Sequence, residues 1–252
     1  MGSSTSVDVG PTLLVVLAVL AAVGAVVVRW AGLGPGRTVL TATLRATLQL
    51  AAVSLIIVAV LRAWSTTIAF VLVMYVVAAV TSARRISDLR TGWLAALPIA
   101  LGVAPALALL LGTGVLPGTP LVVLPTAGIL IGGAMTATSL AGRRALDELR
   151  QRHGEYEAGL ALGFPERVAA LEICRPAAGQ ALVPALDQTR TVGLVTLPGA
   201  FVGVLLGGAS PVQAGVTQLV ILVALLAVEA IAIGVVVELV ARGAVRAADA
   251  PN

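Results

Sequence analysis

Apolar residues arrive in long blocks along this chain, and polar residues gather in the gaps between them. Seven blocks come near the ~20 residues that carry an α-helix across a bilayer: about 11–28, 38–61, 66–81, 93–111, 121–141, 191–206 and 214–240. The pattern predicts an all-α fold, a polytopic membrane helix bundle of about seven transmembrane helices. One membrane domain fills 1–252, with no room for a second globular one. The sixth block is short for a crossing, and an earlier start near Ala181 would lengthen it. The one long polar interval, 142–190, separates spans five and six. Arg143 to Glu157 is charged at helical spacing and extends span five into water as a helix. Gly163 ends one helix. Pro165 suits the first turn of the next, with Glu166 beside it at the positive end of the helix dipole. Ala169, Ala170, Leu171 and Ile173 supply the apolar side, and Pro176 stops the helix.

Composition sharpens this picture. The chain is 59% hydrophobic and 11% charged, with a mean hydropathy of +1.05, too little polar surface for a soluble domain of this length. Every basic side chain is Arg, and there is no Lys. A P-loop needs its Lys to reach nucleotide phosphates, so this chain does not carry that type of ATPase. Cys174 is the only cysteine and His153 the only histidine, the latter in a charged stretch. An intrachain disulfide and a His-rich metal site in the bilayer are therefore excluded. No Ser-His-Asp, paired-carboxylate or zinc arrangement can be assembled, so enzyme chemistry is not expected on this chain. No positive charge precedes the first block, which is expected to be retained as a span and not cleaved as a signal peptide.

Arg placement orients the spans. Arg29 and Arg37 fall between spans one and two, and Arg84, Arg85 and Arg90 between three and four. Seven more lie in the 142–190 interval, and Arg242 and Arg246 follow span seven. With seven crossings all of these share one side, and Arg62 alone lies opposite. The positive-inside rule then puts the N-terminus outside and the C-terminus in the cytoplasm.

Few polar residues fall inside the blocks. Arg45, with Gln49 one turn on, sits in span two, roughly 10 Å from its cytoplasmic end, and Glu229 in span seven roughly 16 Å from that face. Burying such a charge at mid-membrane costs about 2.5–3.5 kcal/mol on insertion scales. An Arg45–Glu229 ion pair and a snorkelling Arg45 both fit these depths. Asp187 and Arg190 can pair on one helix face as a hinge below span six. Span five carries Pro125, Gly128, Gly132, Gly133 and Met135, and span six Pro198 and Gly199. The glycine pair and Pro198 both lie roughly 15 Å from the outer surface. Interrupted helices at one depth mark a solute path, and Gly128-x-x-x-Gly132 equally suits close helix packing.

The interval between spans five and six contains EYEAGLALGFPERVAALEICRP. Glu157-Ala158, Gly163 six residues after the Glu, Ile173 ten later and Pro176 three beyond resemble the EAA loop of ABC importer permeases, with Arg175 in place of the usual Leu. The resemblance implies a cytoplasmic coupling helix in which Glu157, Ala158, Gly163, Phe164, Pro165 and Ile173 serve ATPase coupling. Further blocks resemble the FetB-type permease family, the membrane subunits of a bacterial iron exporter, with plant relatives that act in aluminium tolerance. They are TAGILIGGAMTATSLAGRR, LALGFP, Arg45-x-x-x-Gln49-Leu50, and the run from Asp187 through Arg190-Thr191-Val192-Gly193 to Leu197-Pro198-Gly199. The family implies a permease homodimer in the inner membrane working with two cytoplasmic ABC ATPase subunits. Any ATP and Mg would sit on those partners, with no cofactor on this chain and no nucleic acid bound. It also implies export of a metal ion such as iron, or of another small solute. This chain departs from the family where Gly133 replaces an Asn, Ala200 and Phe201 a Met pair, Val204 a Gln and Ser210 an Asp. Thioethers and amides can serve as metal ligands, so the metal and its ligands stay unassigned. A secondary ion-coupled transporter using Glu229 and Arg45, and a membrane scaffold that does not transport, are the other readings of the residues.

Overall fold

A computed structural model describes residues 10–87 and 93–246. Arg90 lies outside the described residues. Among the described residues there is no strand, only an isolated bridge between Val192 and Thr196. The chain is a polytopic α-helical bundle, and among the described residues six helices are long and apolar enough to cross a membrane. It divides into two compact units that meet in sequence between Leu61 and Arg62.

The first unit is a helical hairpin of α1 (Pro11–Trp30) and α2 (Arg37–Val60). Gly32 and Gly34 turn the chain at positive φ. Gly36 lies so close to the Ala25 carbonyl that a Cβ there would stand 2.5 Å from its oxygen. No α1 residue is buried, and its leucines and valines point outward all round, as suits helices solvated by lipid.

The second unit packs α3 (Trp64–Ile86), α4 (Ala96–Gly112), α5 (Pro120–Gln151) and α10 (Pro211–Ala241). Lipid gives no hydrophobic drive between helices, so close packing through small residues must hold them. Ala127, Ala134, Ala137, Ala141 and Ala145 of α5 are all 0–2% exposed. A Cβ on Gly102 of α4 would come within 2.8 Å of the Val228 carbonyl oxygen of α10, so only glycine permits that approach. Polar cross-ties add to this. The Tyr75 hydroxyl donates to the Ala96 carbonyl at 3.0 Å, and the Ser82 hydroxyl to the Met135 carbonyl at 3.1 Å, with Ser139 Oγ 3.0 Å away.

The extension of span five into a longer helix holds: α5 runs to Gln151, 32 residues in all. Arg152 then breaks the helix, and α6 (His153–Ala161) follows. The next helix, α7, spans Glu166–Gly179. Two expectations about it are corrected. Pro165 is its N-cap and not part of its first turn, with a carbonyl that accepts from the amides of Val168 and Ala169. Pro176 does not stop it. The helix runs three residues further because Cys174 and Ala178, on either side of the proline, are buried against the bundle, and that packing outweighs one missing backbone donor.

The sixth span is also corrected. The stretch 191–206 is not one helix. A 3-10 turn, Gln180–Leu182, leads into α8 (Val183–Thr191), and only after a break does α9 (Gly199–Leu206) begin. Gly193 at φ +82° makes the turn, its amide bonding back to the Thr196 carbonyl, and Pro198 supplies the extended N-cap of α9. This broken segment still carries the chain from one end of the bundle to the other. The C-terminal ends of α5 and α10 line one cleft together, and their N-terminal halves line another. The two helices therefore run parallel, so the segment between them must return across the unit. Its two short helices, about 13 and 12 Å long by rise, and seven non-helical residues suffice for that distance.

Candidate functional site

At the C-terminal end of α5, α6 and α7 form an elbow. Gly163, at φ +89°, makes the bend. Its amide bonds to the Leu160 carbonyl at 2.9 Å and that of Phe164 to the Gly159 carbonyl at 3.1 Å, the paired bonds of a Schellman motif. The motif needs a glycine at its left-handed position. Phe164 folds back over Gly159, where a Cβ would meet its ring at 3.6 Å. Leu162 and Phe164 are 78% and 51% exposed, so the tip presents apolar side chains outward. Glu157 and Ala158 lie on the exposed face of α6, where Glu157 Oε1 is 3.3 Å from His153 Nε2. Ile173, in contrast, is buried with Ala169, Ala170 and Leu171, the face that sequence periodicity assigned to packing.

Ion pairs and one buried thiol fix the elbow. Arg152 reaches Glu148 at 3.4 Å and Glu155 at 2.5 Å, clamping the break between α5 and α6. The Arg152 guanidinium holds the Glu155 carboxyl below the usual carboxylate range. Arg167 of α7 donates both Nε and Nη2 to Glu238 of α10, at 2.5 and 2.9 Å, and Arg242 donates to the same carboxylate at 2.6 Å. The Cys174 thiol donates to the Ala145 carbonyl of α5 at 3.5 Å, and burial pushes it up to about 11. Sequence reasoning missed Arg167, Glu238 and Cys174. The i, i+4 spacing of Glu238 and Arg242 is a legible signal; the Arg167 partnership, across 71 residues, is not.

At the opposite end, the N-terminal halves of α5 and α10 and the broken segment enclose a cleft of about 820 Å³. Pro125, Pro198 and Gly199 line it, as do Ala200, Val204 and Gln218. Gln218 is 4% exposed, and its side-chain carbonyl accepts from the Phe201 amide at 3.2 Å, capping the first turn of α9. No local pattern announces that role. The other residues expected on the path lie elsewhere. Gly128 packs against the tip of Met74 on α3, and Met135 gives its carbonyl to Ser82. Gly132 has open space where a side chain would go. Ser210 caps α10 in a full capping box with Gln213, a position an Asp would fill equally well.

Gly133 is pressed against α10. A Cβ there would stand 2.3 Å from Leu225 Cδ1 and 2.8 Å from Glu229 Oε1, so the Glu229 carboxylate occupies the space of an absent side chain. Glu229 is 9% exposed, and no cation of the second unit's described residues reaches it within 4 Å. Arg45 and Gln49 lie on α2 of the first unit. Asp187 and Arg190 pair at 3.5 Å on the exposed face of α8, just before the break. Among the described residues no three His, Cys, Asp or Glu side chains gather to hold a metal ion.

Six helices long and apolar enough to span a bilayer, a braced elbow at one end and an apolar cleft at the other define a polytopic membrane protein. The chain belongs to the uncharacterised protein family UPF0014, whose profile matches residues 11–245. It is 37% identical over 152 residues to the UPF0014 membrane protein STAR2 of rice, covering 60% of this chain and 53% of that protein. A UPF0014 membrane protein of Synechocystis is 30% identical over 202 residues, 77% of this chain and 78% of its own length. The Escherichia coli protein named "Probable iron export permease protein FetB" is 35% identical over 120 residues, 46% of this chain and 45% of its own. The chain thus spans about half the length of the rice and Escherichia coli relatives. No solved structure matches.

Proposed function

We propose that this chain is the permease subunit of an ABC-type transporter, driven by a separate cytoplasmic ATPase and exporting a metal ion or another small solute. The observation that carries this reading is the elbow. Its apolar tip, Leu162 and Phe164, faces outward, while its base is tied to α5 through Cys174 and to α10 through Arg167 and Glu238. A surface helix lying on the bilayer would bury such a tip. The name of the Escherichia coli relative supports the export reading. In this scheme two permease copies join two ATPases in the inner membrane, and ATP-driven closure pushes on Phe164. The push travels along α5 and α10 to the cleft, with the Asp187–Arg190 pair as the hinge of the broken segment. The elbow is cytoplasmic, the N-terminus outside and the C-terminus inside, with the broken segment as the seventh crossing. That places the Arg-rich intervals on one side.

The test is a crosslink from Phe164→Cys in native membranes, together with vesicle transport. The expected result is capture of a nucleotide-binding subunit, abolished when Leu162→Asp is added beside the cysteine, and transport that needs ATP and survives a proton uncoupler. Transport that persists without ATP and stops with the uncoupler would establish the ion-coupled reading, in which buried Glu229 carries the coupling ion.

A further inference from the structure

We propose that Glu229 is the cargo-binding carboxylate of the transport path, and that the cargo is an organic cation with an apolar body. The inference rests on the permease reading and names its substrate class. Glu229 lies one helical turn beyond Leu225, and Leu225 belongs to both places at once. It lines the cleft, and its Cδ1 covers Gly133 beside the carboxylate. Glu229 itself does not line the cleft; Leu225 stands between the two, and cargo reaches the acid only when that side chain moves aside. Among the described residues of this unit no cation lies within 4 Å of the carboxylate. The α4 helix has no ionisable residue, and α5 has none from Pro120 to Gly142. Intramembrane acids of this kind mark ion or substrate pathways.

The surroundings select the kind of cation. A divalent metal needs several oxygen, nitrogen or sulfur donors. Glu229 brings one carboxylate, and the carbonyl of Gln218 is already engaged by the Phe201 amide. The Thr126 hydroxyl donates to the Val122 carbonyl and offers only one neutral oxygen. The remaining cleft wall is mostly apolar, with Pro125, Ile129, Val204, Ile221 and Leu222 prominent. One carboxylate beside apolar walls suits an ammonium, guanidinium or phosphonium group that carries hydrocarbon. A cleft of about 820 Å³ also falls within the size of sites that hold molecules of several rings.

The experiment is equilibrium binding of tetraphenylphosphonium to the full chain in lipid nanodiscs, with empty discs subtracted. Triphenylphosphine oxide is the neutral counterpart. The expected result is at least tenfold tighter binding of the cation. Glu229→Gln should collapse that ratio to near one, and Glu229→Asp should keep most of it. Leu225→Trp should weaken both probes while leaving the carboxylate in place. Equal binding of the two probes by the unaltered chain would make the cleft a lipid-like groove and overturn the proposal. A ratio unchanged in Glu229→Gln would overturn it too. So would Mn²⁺ binding that exceeds that of the phosphonium and vanishes in Glu229→Gln. No ATPase enters the assay, so its outcome is independent of the Phe164 crosslink.

Discussion

The elbow and the cleft lie at opposite ends of the same two long helices, and they are held by opposite means. At the elbow, α7 is buried along one face, bonded through Cys174 to α5 and anchored by a bidentate Arg167–Glu238 pair to α10. At the cleft, α9 is eight residues long, follows seven non-helical residues, and is capped by one side-chain carbonyl, that of Gln218. A braced end next to a lightly tied end is the arrangement in which force applied at the first is expressed as movement at the second.

The strongest way to break this contrast is to jam the contact between α5 and α10. Gly133→Asn forces atoms into Leu225 and Glu229, and overpacking of this kind costs typically 1–3 kcal/mol. Thermal unfolding in detergent should show the loss. Adding Glu229→Ala should recover part of it, because Glu229 shares that space with Leu225. Gln218→Leu comes next. It leaves the Phe201 amide without its partner, for a loss of about 1 kcal/mol. Hydrogen exchange should rise in 199–206 and stay unchanged in α7. Arg167→Ala is the mirror experiment. Its ion pair is half exposed, so the thermal midpoint should barely move. Exchange should rise in α7 and leave α9 as it was; under the proposed function, transport should also fall while binding of the proposed ATPase persists.

The smallest effect concerns Cys174. Burial raises its thiol to about 11, so the folded chain holds that proton more tightly than the unfolded chain. The stability this contributes is complete below the ordinary thiol range and is lost as pH climbs toward 11. Melting curves should show an alkaline decline that is shallower in Cys174→Ala.

Much of this was legible in the sequence because membrane helices announce themselves by length and polarity. Five of the seven expected spans match helices to within a few residues, and the fifth proved longer only beyond the point where it turns polar. The elbow was legible too, since a glycine, a proline and a run of small apolar residues act locally. Pro176 was misplaced because local rules cannot weigh tertiary burial: it sits inside a helix that the bundle holds together. Pro165 was off by one position at a helix boundary. The break at 192–198 was read as a weak point at Pro198 and Gly199 alone, whereas the turn begins five residues earlier at Gly193. The departures at Gly133, Ala200 and Val204 stood out as isolated changes. Their common meaning is spatial, for Ala200 and Val204 line the cleft and Gly133 underlies Leu225, one of its walls. Gln218 and the Arg167–Glu238 tie are long-range facts with no local signature.

The length of α5 has a mechanical consequence. Its 32 residues measure about 48 Å, against about 30 Å of hydrocarbon in a bilayer. Some 18 Å of helix therefore extends beyond the hydrocarbon, a length that would serve as a lever in the proposed transporter. Tilting it by about ten degrees around its middle swings each tip by roughly 4 Å, more than the rise of two helical residues.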